Sequence, residues 1–463
     1  MAQMNAELFY TSKNGYDVMD AEERSRMERY CASYKDFLDH SKTERLCVSH
    51  SIRLAEAQGF VPYKKGMALK PGDRVYVNNR GRSLILAVMG ETPLSQGANI
   101  SVAHVDSPHL DIKPRPLYEE AEVAYFKPYL YGGVRKYQWL ALPLAMHGVV
   151  ILGDGSSVPV SLGEEEGEPQ FIINDLLPHL ARQQVKKPLE DLFHSSMMNV
   201  LVGSRPLEGA EEGRRFKGQV LSALHEKYGI AEEDLISAEL EMVPAGKARD
   251  IGFDHSLIAS YGHDDRVCAY AELQALFEAT APKKTAVCLL ADKEEVNSEG
   301  VSGMKSQAFE RFMSDLCAAQ GGDVKDCFAN SFCISADVTS AYDPNFSEVY
   351  EKTNAAMANH GVALCKYTGS SGDKSDASDA SAEVVGKLRR MLNRGGVLWQ
   401  MSETGLPEAG GGGTVAKFMA NREIDTIDAG VPVLSMHAPF ETVSKVDCYM
   451  TYKAICQLYH SED

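Results

Sequence analysis

Two stretches near the start of the chain repeat apolar side chains at the spacing of a helix. They are DAEERSRMERYCASYKDFLDH, residues 20–40, and TERLCVSHSIRLAEAQ, residues 43–58. Apolar residues recur every three or four positions between charged ones, as on one face of an amphipathic helix. Gly59 and Pro62 end the second pattern. The sequence therefore predicts two helices between residues 17 and 60.

Further along, short apolar runs alternate with helical patterns. The runs are SLILAVMG (83–90), ANISVAHVD (98–106), TAVCLLAD (285–292) and SFCISADV (331–338). Runs of this length predict buried strands. Helical patterns follow in RVCAYAELQALFEAT (266–280) and SQAFERFMSDLCAAQ (306–320). This alternation predicts an α/β fold with a mixed central sheet flanked by helices.

The pattern changes in the middle of the chain. Pro114 and Pro116 interrupt it, and short strand-like pieces then alternate with turn-rich loops such as GDGSSV and GEEEGEPQ. The alternation of strands and helices resumes at AELEMVPAG. We therefore predict a catalytic domain in two parts, residues 1–116 and 237–463, with a smaller β-rich domain inserted at 117–236. A chain of 463 residues is long enough for two domains.

Charge and composition narrow the possible partners. The chain has 47 Lys and Arg against 65 Asp and Glu, a formal charge of −18. This excess of acid repels nucleic-acid backbones and anionic membranes. The most apolar run, WLALPLAMHGVVILG, contains Pro143 and His147 and is too short to span a bilayer. Ten cysteines without a C-x-x-C pair, and a start without a basic and apolar leader, predict a cytoplasmic protein.

Acidic and histidine residues follow five predicted strands or turns. They are His104 and Asp106 in SVAHVDSP, Asp264 and Asp265 in GHDDRVCAY, Glu294 and Glu295 in DKEEVNSEG, Asp337 in ISADVTSAYDPNF, and His437 in LSMHAPFE. The carboxyl ends of parallel strands converge on one crevice of an α/β sheet. Imidazoles and carboxylates together are ligands for zinc. A cation would also explain why two glutamates stand side by side after a buried strand.

Each cluster alone has a simpler interpretation. His104 and Asp106 could form a buried core pair, and His437 could be a core histidine. Asp264 and Asp265 could cap a helix whose dipole favours acids. The glutamate pair could lie in a solvated loop. The five clusters together favour a metal site.

In this order along the chain, the five motifs resemble those of the aminopeptidase I / aspartyl aminopeptidase family of zinc metallopeptidases. The resemblance extends over residues 101–441. It implies a metal-dependent enzyme that removes N-terminal amino acids from peptides. It also implies that the inserted domain serves in dimerisation or as a lid, and that dimers assemble into a tetrahedral dodecamer.

The resemblance also implies roles for single residues. One metal ion would be held by His104, Asp264 and Asp337, and a second by Asp264, Glu295 and His437. Glu294 would be the general base, and Asp106 would orient His104, since such partners fix the ring of a ligand histidine. Two divalent ions are expected, zinc before cobalt or manganese. The Asp264–Asp265 peptide bond is expected to be cis.

Three positions depart from the family pattern or leave a choice open. Asp265 stands where the family commonly has Asn, so either aspartate could bridge the metals, although the following Arg266 favours Asp264. In PHLARQQ, Gln183 replaces a histidine that reaches a neighbouring subunit, so either His179 substitutes for it in substrate binding or this contact is absent. Lys366 in ALCKYTG would meet an acidic substrate side chain or would simply be solvated.

Two other functions compete with this interpretation. The first is a catalytically inactive scaffold or cargo homologue, which would have no need of the base Glu294. The second is a metallo-carboxypeptidase or deacylase on a similar sheet. Such an enzyme needs an arginine to bind a terminal carboxylate, and Arg266 is the candidate that the motifs offer.

Overall fold

The structure is a computed structural model that describes residues 8–369, 374, 378–403 and 405–461. Within these residues the chain forms two compact units. The first contains residues up to 106, residues 248–436 and residues from 441 onward, and the second contains 107–247 and 437–440. The predicted inserted segment, 117–236, lies inside the second unit.

The strands in chain order are β1 (Val61–Pro62), β2 (Arg74–Asn79), β3 (Ser83–Val88), β4 (Ala98–His104), β5 (His109–Glu120), β6 (Val123–Tyr131), β7 (Leu144–Ile151), β8 (Ser157–Leu162), β9 (Val200–Gly203), β10 (Ala238–Pro244), β11 (Arg249–Ile251), β12 (Leu257–Ser260), β13 (Thr285–Ala291), β14 (Phe332–Ser335), β15 (Thr339–Ser340), β16 (Val362–Cys365), β17 (Trp399–Ser402), β18 (Asp425–Gly430), β19 (Pro432–Leu434) and β20 (Glu441–Ser444).

The α-helices span Gly15–Val18, Ala21–Asp39, Glu44–Ala57, Leu189–Leu192, Arg215–Tyr228, His263–Glu278, Ala308–Ala319, Val324–Ala329, Ala382–Arg394, Ala416–Ala420 and Lys445–Tyr459. The two predicted N-terminal helices are among them. The Asp20 carboxylate caps the first by accepting the N–H of Glu23, and the Thr43 hydroxyl caps the second by accepting that of Leu46. Among the described residues, every helix is too short or too polar to cross a membrane.

The central sheet of the first unit has the strand order β1-β2-β3-β13-β4-β14-β18-β16-β17. Strands β13, β4, β14 and β18 are parallel neighbours, whereas β3 and β16 pair antiparallel with β13 and β18. The register sets Ala291 opposite His104, and Ser335 opposite Val102. The carboxyl ends of β13, β4 and β14 therefore lie side by side at one edge of the sheet. A mixed sheet of this kind agrees with the predicted α/β fold.

Both faces of this sheet are covered by helices. Leu84 and Leu86 on β3 pack into one core cluster, together with apolar side chains of the helices Ala21–Asp39, His263–Glu278 and Lys445–Tyr459. Ile85 and Ala87, which point to the other face, pack against the helix Ala308–Ala319. This alternation explains why the strands read as continuous apolar runs. The first unit also contains a smaller sheet of order β11-β12-β20-β19-β15.

The second unit is built on an antiparallel sheet of order β8-β7-β10-β5-β6-β9. The unit extends beyond 117–236 because β5 and β10, which flank that segment, pair with each other. Pro114 and Pro116 do not end β5, since the strand continues through them with a shift of register between Ile112 and Leu117. The unit also contains the helix Arg215–Tyr228, which the strand-and-turn pattern did not predict.

All ten cysteines occupy described positions, and each is free and buried. Several lie on strands, as Cys288 does on β13 and Cys333 on β14. Nine of the ten, all but Cys365, pack as small apolar side chains in the two core clusters of the first unit.

Candidate metal centre

Three neighbouring strands and one helix start bring acids and a histidine to the same edge of the first unit. His104 is the last residue of β4, and Asp337 follows β14. Glu294 and Glu295 lie in a short 3-10 turn after β13. Asp264 lies at the start of the helix His263–Glu278, where the backbone is not yet helical. The register of β13, β4 and β14 makes these side chains neighbours.

The imidazole of His104 lies between carboxylates. Its Nε2 atom is 3.0 Å from Oδ1 of Asp264 and 3.6 Å from Oδ1 of Asp337. Its Nδ1 atom is 2.9 Å from the carbonyl oxygen of Asp106, which can only accept a hydrogen bond. In the neutral ring, Nδ1 therefore carries the hydrogen and Nε2 presents a lone pair to the carboxylates. The Nε2 lone pair and the facing carboxylate oxygens together form a set of ligand atoms that fits a cation.

Other acids extend this set. In the described part of the chain, ligand atoms of His104, Asp264 and Glu295 lie within 4.8 Å of one another. The same is true of His104, Asp265 and Asp337. Zinc binds imidazole nitrogen and carboxylate oxygen at about 2.0–2.2 Å, so small side-chain rotations bring each group to ligating distance. The residues present therefore fit a zinc centre.

Burial of so many acids shifts their protonation. Burial, with the charges of Asp337, Asp106 and Asp264 adding to it and that of His104 opposing it, raises the pKa of Glu294 to about 8. Burial also raises the pKa of Asp337 above its usual range. Burial works against protonation of His104, but its bonds to the acids raise the pKa of the ring well above its usual value. A divalent cation reverses these preferences, because it stabilises carboxylates and a neutral imidazole.

Asp106 connects the histidine to the glutamate pair. Its carboxylate oxygens accept the backbone N–H groups of Glu294 and Glu295, each across 3.2 Å. Its Oδ1 also lies 3.4 Å from Nδ1 of His104. The sequence motif linked Asp106 with His104 alone. The bond to the glutamate turn could not be predicted from it, since the two segments are far apart in the chain.

The two adjacent aspartates make different contacts. Oδ1 of Asp264 faces the His104 ring, whereas Oδ2 of Asp265 accepts the backbone N–H of His104 across 3.2 Å. The peptide bond between the two aspartates is cis, which confirms that prediction. The N–H of Asp264 donates to Oε2 of Glu441 across 3.0 Å. Glu441 belongs to the SMHAPFE motif, but the sequence did not assign it a role.

Two of the predicted site histidines belong to the second unit. His437 is half-buried, and its ring lies against the backbone of Gly133, where an added Cβ atom would lie 2.5 Å from Nδ1. His179 lies in the exposed 3-10 turn Pro178–Leu180. The role of His437 as a ligand and that of His179 in substrate binding remain predictions from the motifs.

Lys366 is not among the residues gathered at the edge. It directly follows β16, which runs antiparallel to β18 and thus opposite to β4 and β14. The carboxyl end of β16 therefore points away from the edge at which His104 lies. The Lys366 ammonium group instead lies 5.1 Å from the ring centre of Tyr367.

Arg266 cannot serve a carboxypeptidase as its substrate clamp. The side chain is buried, its Nε donates to the carbonyl oxygen of Val105 across 3.1 Å, and its guanidinium covers the ring of Tyr261. The arginine is thus part of the support beneath the metal centre. Its guanidinium is therefore not exposed to bind the terminal carboxylate of a peptide.

A further set of possible ligands lies at the surface of the first unit. Ligand atoms of Asp36, His40 and His50 also lie within 4.8 Å of one another. The guanidinium of Arg53, however, lies 3.0 Å from Nδ1 of His50. A fixed positive charge at that distance opposes a second cation. The centre at His104 is therefore the stronger candidate.

An imidazole and several carboxylates at the carboxyl edge of an α/β sheet are typical of metal-dependent hydrolases. Comparison with known proteins makes the assignment specific. The pattern of the family described as aminopeptidase I zinc metalloprotease, M18, matches residues 37–459. The chain belongs to this family and is an aminopeptidase. This assignment confirms the predicted family and function, and it decides against the carboxypeptidase and deacylase alternative.

Individual relatives support the same conclusion. A probable M18 family aminopeptidase 1 of Clostridium acetobutylicum is 43% identical over 456 residues, covering 97% of this chain and 98% of its own. The crystal structure of an M18 aminopeptidase from Thermotoga maritima is similar with a TM-score of 0.93 and 39% identity, covering 97% and 99%. That of aminopeptidase I from Clostridium acetobutylicum gives 0.91 and 40%, covering 98% and 100%. These likenesses confirm the α/β fold.

Proposed function

We propose that the chain hydrolyses peptides from their amino ends with two divalent metal ions. One ion would be held by His104, Asp264 and Asp337, and the other by Asp264, Glu295 and His437. The position of the His104 ring between Asp264 and Asp337 is the observation that carries the proposal. Asp264 is the better bridging candidate of the two aspartates, because the carboxylate of Asp265 is bonded to the backbone of His104.

Bound zinc would supply a Lewis acid that polarises the scissile carbonyl and makes water acidic. Glu294 acts as the general base. A carboxylate oxygen of Glu294 takes a proton from the water molecule that attacks the carbonyl carbon. The same proton then passes to the nitrogen of the breaking C–N bond, so that the new amino terminus leaves as a neutral amine.

Asp106 holds the general base, Glu294, in place. Because both its oxygens accept N–H groups of the glutamate turn, the backbone of Glu294 and Glu295 is fixed relative to His104. Such fixed geometry matters because a proton acceptor must lie within hydrogen-bonding distance of the attacking water. Asp106 is therefore a positioning residue in this proposal.

The experiment compares peptides with a free and an acetylated N-terminus. An aminopeptidase releases the first residue from the free peptide and leaves the acetylated peptide intact. Metal analysis of the purified protein should give two ions per chain, with zinc, cobalt and manganese compared for reactivation after chelation. One ion per chain at full activity would contradict the two-metal mechanism. Equal cleavage of both peptides would contradict the exopeptidase assignment.

For substrate preference we propose that Lys366 meets an acidic side chain. The resemblance to the aspartyl aminopeptidases supports this, whereas the direction of β16 argues for a solvated lysine. Lys366→Leu should lower the rate on peptides that begin with Asp or Glu far more than on those that begin with Leu. Lys352→Leu, which removes another lysine lying over an aromatic ring, is the matched control. Equal losses on both kinds of peptide would remove Lys366 from the substrate site.

We also propose that the chain forms homo-oligomers through the second unit, with His179 near a neighbouring active site. Support comes from exposed apolar side chains around that residue, including Leu180 at 68% and Val185 at 76% exposure. A yeast structure of the same fold, 21% identical with a TM-score of 0.76, is described as an mApe1 dodecamer. Native mass spectrometry of the protein and of Leu180→Asp/Val185→Asp should show twelve subunits and a smaller species, respectively. Unchanged mass in the variant would exclude this surface.

The same proposal includes a cytoplasmic location. Ten free, buried thiols support it, because an oxidising compartment favours disulfides in proteins with many cysteines. Fractionation of the source cells with antibody detection tests it.

A further inference from the structure

The turn that carries Glu294 and Glu295 is held from outside the metal centre. It belongs to a loop, residues 292–302. Both ends of this loop contact the β2–β3 hairpin, and the two ends also contact each other. The loop backbone is unusual, with Lys293 at φ 68° and Asn297 at φ 64°. A loop in such a conformation needs contacts that fix it.

The first end of the loop is held by an arginine. Nε of Arg82, in the turn between β2 and β3, donates to Oδ2 of Asp292 across 3.1 Å. Its Nη2 lies 2.9 Å from Oε1 of Glu44. Asp292 and Glu44 are buried, and the Arg82 side chain is 18% exposed. The guanidinium thus joins two buried carboxylates, one of which, Asp292, comes two residues before Glu294 in the chain.

The second end closes onto the first. The hydroxyl of Ser302 donates to the same Oδ2 atom of Asp292 that Arg82 contacts. The neighbouring carbonyl of Val301 accepts a hydrogen bond from the Asn79 amide across 3.1 Å. Just after the loop the chain passes so close to it that a Cβ atom on Gly303 would lie 2.2 Å from the carbonyl oxygen of Ser298. The two ends of the loop are therefore tied to each other and to the hairpin.

We propose that Arg82 is a positioning residue for the metal centre, acting through Asp292 to hold the loop that presents Glu294 and Glu295. The inference rests on the proposed function of those two glutamates. Its effect passes through the Asp292 carboxylate, to which Nε donates, and through the backbone that leads from Asp292 to the two glutamates. Residues that orient metal ligands in this way typically change activity or metal affinity about 10- to 100-fold when they are replaced.

The chemistry of the side chain explains why an arginine stands here. Its planar guanidinium reaches two carboxylates at once, because Nε donates a hydrogen bond to Asp292 while Nη2 lies at ion-pair distance from Glu44. Lysine would supply the charge but from one nitrogen atom. Arg82→Lys should therefore recover part, and not all, of what Arg82→Ala loses.

Arg74→Ala is the matched control. Arg74 lies at the other end of the same hairpin, on β2, and its guanidinium donates to the carbonyl oxygens of Gln58, Phe277 and Ala279. Its loss removes a comparable set of hydrogen bonds from the first unit without touching the loop. It separates a general loss of stability from a loss of loop geometry.

The experiment measures kcat, KM and zinc affinity, the last by competition with a chelator, for Arg82→Ala, Arg82→Lys, Asp292→Asn and Arg74→Ala. We expect Arg82→Ala to lower kcat and zinc affinity about 10- to 100-fold with little change in KM. Asp292→Asn should have a similar effect, and the double variant should lose little more than either one. Arg74→Ala should keep both quantities within about twofold. If Arg82→Ala does not fold, Arg82→Lys and Asp292→Asn decide by the same criteria.

Glu294→Gln, measured beside them, separates this inference from the proposed function. If Glu294→Gln is inactive while the Arg82 and Asp292 variants keep wild-type kcat and zinc affinity, the positioning role is wrong and the base remains assigned. If Glu294→Gln keeps full activity, the proposed function of the loop is itself wrong. Additive losses in the double variant would show that Arg82 does not act through Asp292.

Discussion

The backbone N–H of Asp264 donates a hydrogen bond to the buried carboxylate of Glu441 across 3.0 Å. The two residues come from motifs far apart in the sequence, yet β12, which precedes Asp264, pairs with β20, which begins at Glu441. The register sets Ser260 opposite Glu441. The small sheet of the first unit thereby fixes the segment that aims Asp264 at His104.

Replacing Glu441 tests this link. Glu441→Ala leaves the buried N–H of Asp264 without its acceptor, which costs about 1–3 kcal/mol. We expect a lower free energy of unfolding by that amount, together with weaker zinc binding. Glu441→Gln keeps an acceptor oxygen and should lose much less of both. Urea denaturation and chelator competition measure the two effects, and equal losses in Ala and Gln variants would show that the acceptor is not what matters.

Glu294→Gln separates the base from the metal ligands. The amide has nearly the same shape but cannot take up the proton, so turnover should fall at least about 100-fold, the lower range for general base catalysis. Because Glu294 is proposed as a base and not as a ligand, the metal content should stay that of the wild type. Glu295→Gln is the comparison and should lose metal as well as activity. Metal loss from Glu294→Gln in proportion to its activity would mean that the roles of the two glutamates are exchanged.

The packing of His437 against Gly133 allows its ring to be moved without changing the histidine itself. An alanine at 133 would place Cβ 2.5 Å from Nδ1 of His437, closer than side chains approach one another, so the imidazole must shift. If His437 is a ligand, Gly133→Ala should reduce zinc affinity and activity about as strongly as His437→Ala does. Gly153→Ala, where the nearest atom would be 3.9 Å away, is the control and should change neither. Full metal affinity in Gly133→Ala, with His437→Ala impaired, would mean that the ring tolerates the shift.

Local sequence patterns were sufficient to predict the strands that form the metal edge, the edge of the central sheet at which His104 and Asp337 lie. The apolar runs at β3, β4, β13 and β14 are buried on both faces, so their continuous hydrophobicity was a direct consequence of their position. The acids that follow them could be predicted to converge because parallel strands end at one edge. His104 and Asp337 do lie together there. The contact between these distant residues could be predicted because each follows an apolar run, and the two runs form parallel strands that pair with each other.

Other features depend on contacts that no local pattern encodes. Asp292 looks like the polar end of a strand, and only the fold brings Arg82 and Ser302 to it. The strand β5 continues through Pro114 and Pro116 because its shift of register accommodates residues that usually end a strand. The direction of β16, which removes Lys366 from the metal edge, is likewise decided by sheet topology. The apolar run before Lys366 predicts a strand but does not indicate in which direction that strand runs in the sheet.

A last prediction concerns the stability of the first unit in acid. His50 is half-buried on the helix Glu44–Ala57, its ring stacked 5.1 Å from that of His40 and packed against Phe37. Burial, with the nearby charges of Arg53 and His40, lowers the pKa of His50 to about 4 from its ordinary value of 6.5, and Asp36 opposes this only weakly. The folded protein therefore resists protonation at a position that the unfolded chain protonates readily.

The sign of the effect follows from proton uptake. Between pH 6.5 and about 4 the unfolded chain binds more protons at His50 than the folded one, so the free energy of unfolding decreases as the pH falls through this window. His50→Gln cannot be protonated, so its thermal midpoint should fall less between pH 7 and pH 4.5 than that of the wild type. His225→Gln, which replaces an exposed histidine on the helix Arg215–Tyr228, should follow the wild-type curve. Comparing each variant with the wild type cancels the contribution of the metal centre, which all three share. Parallel curves for the wild type and His50→Gln would show that His50 is protonated equally in the folded and unfolded states.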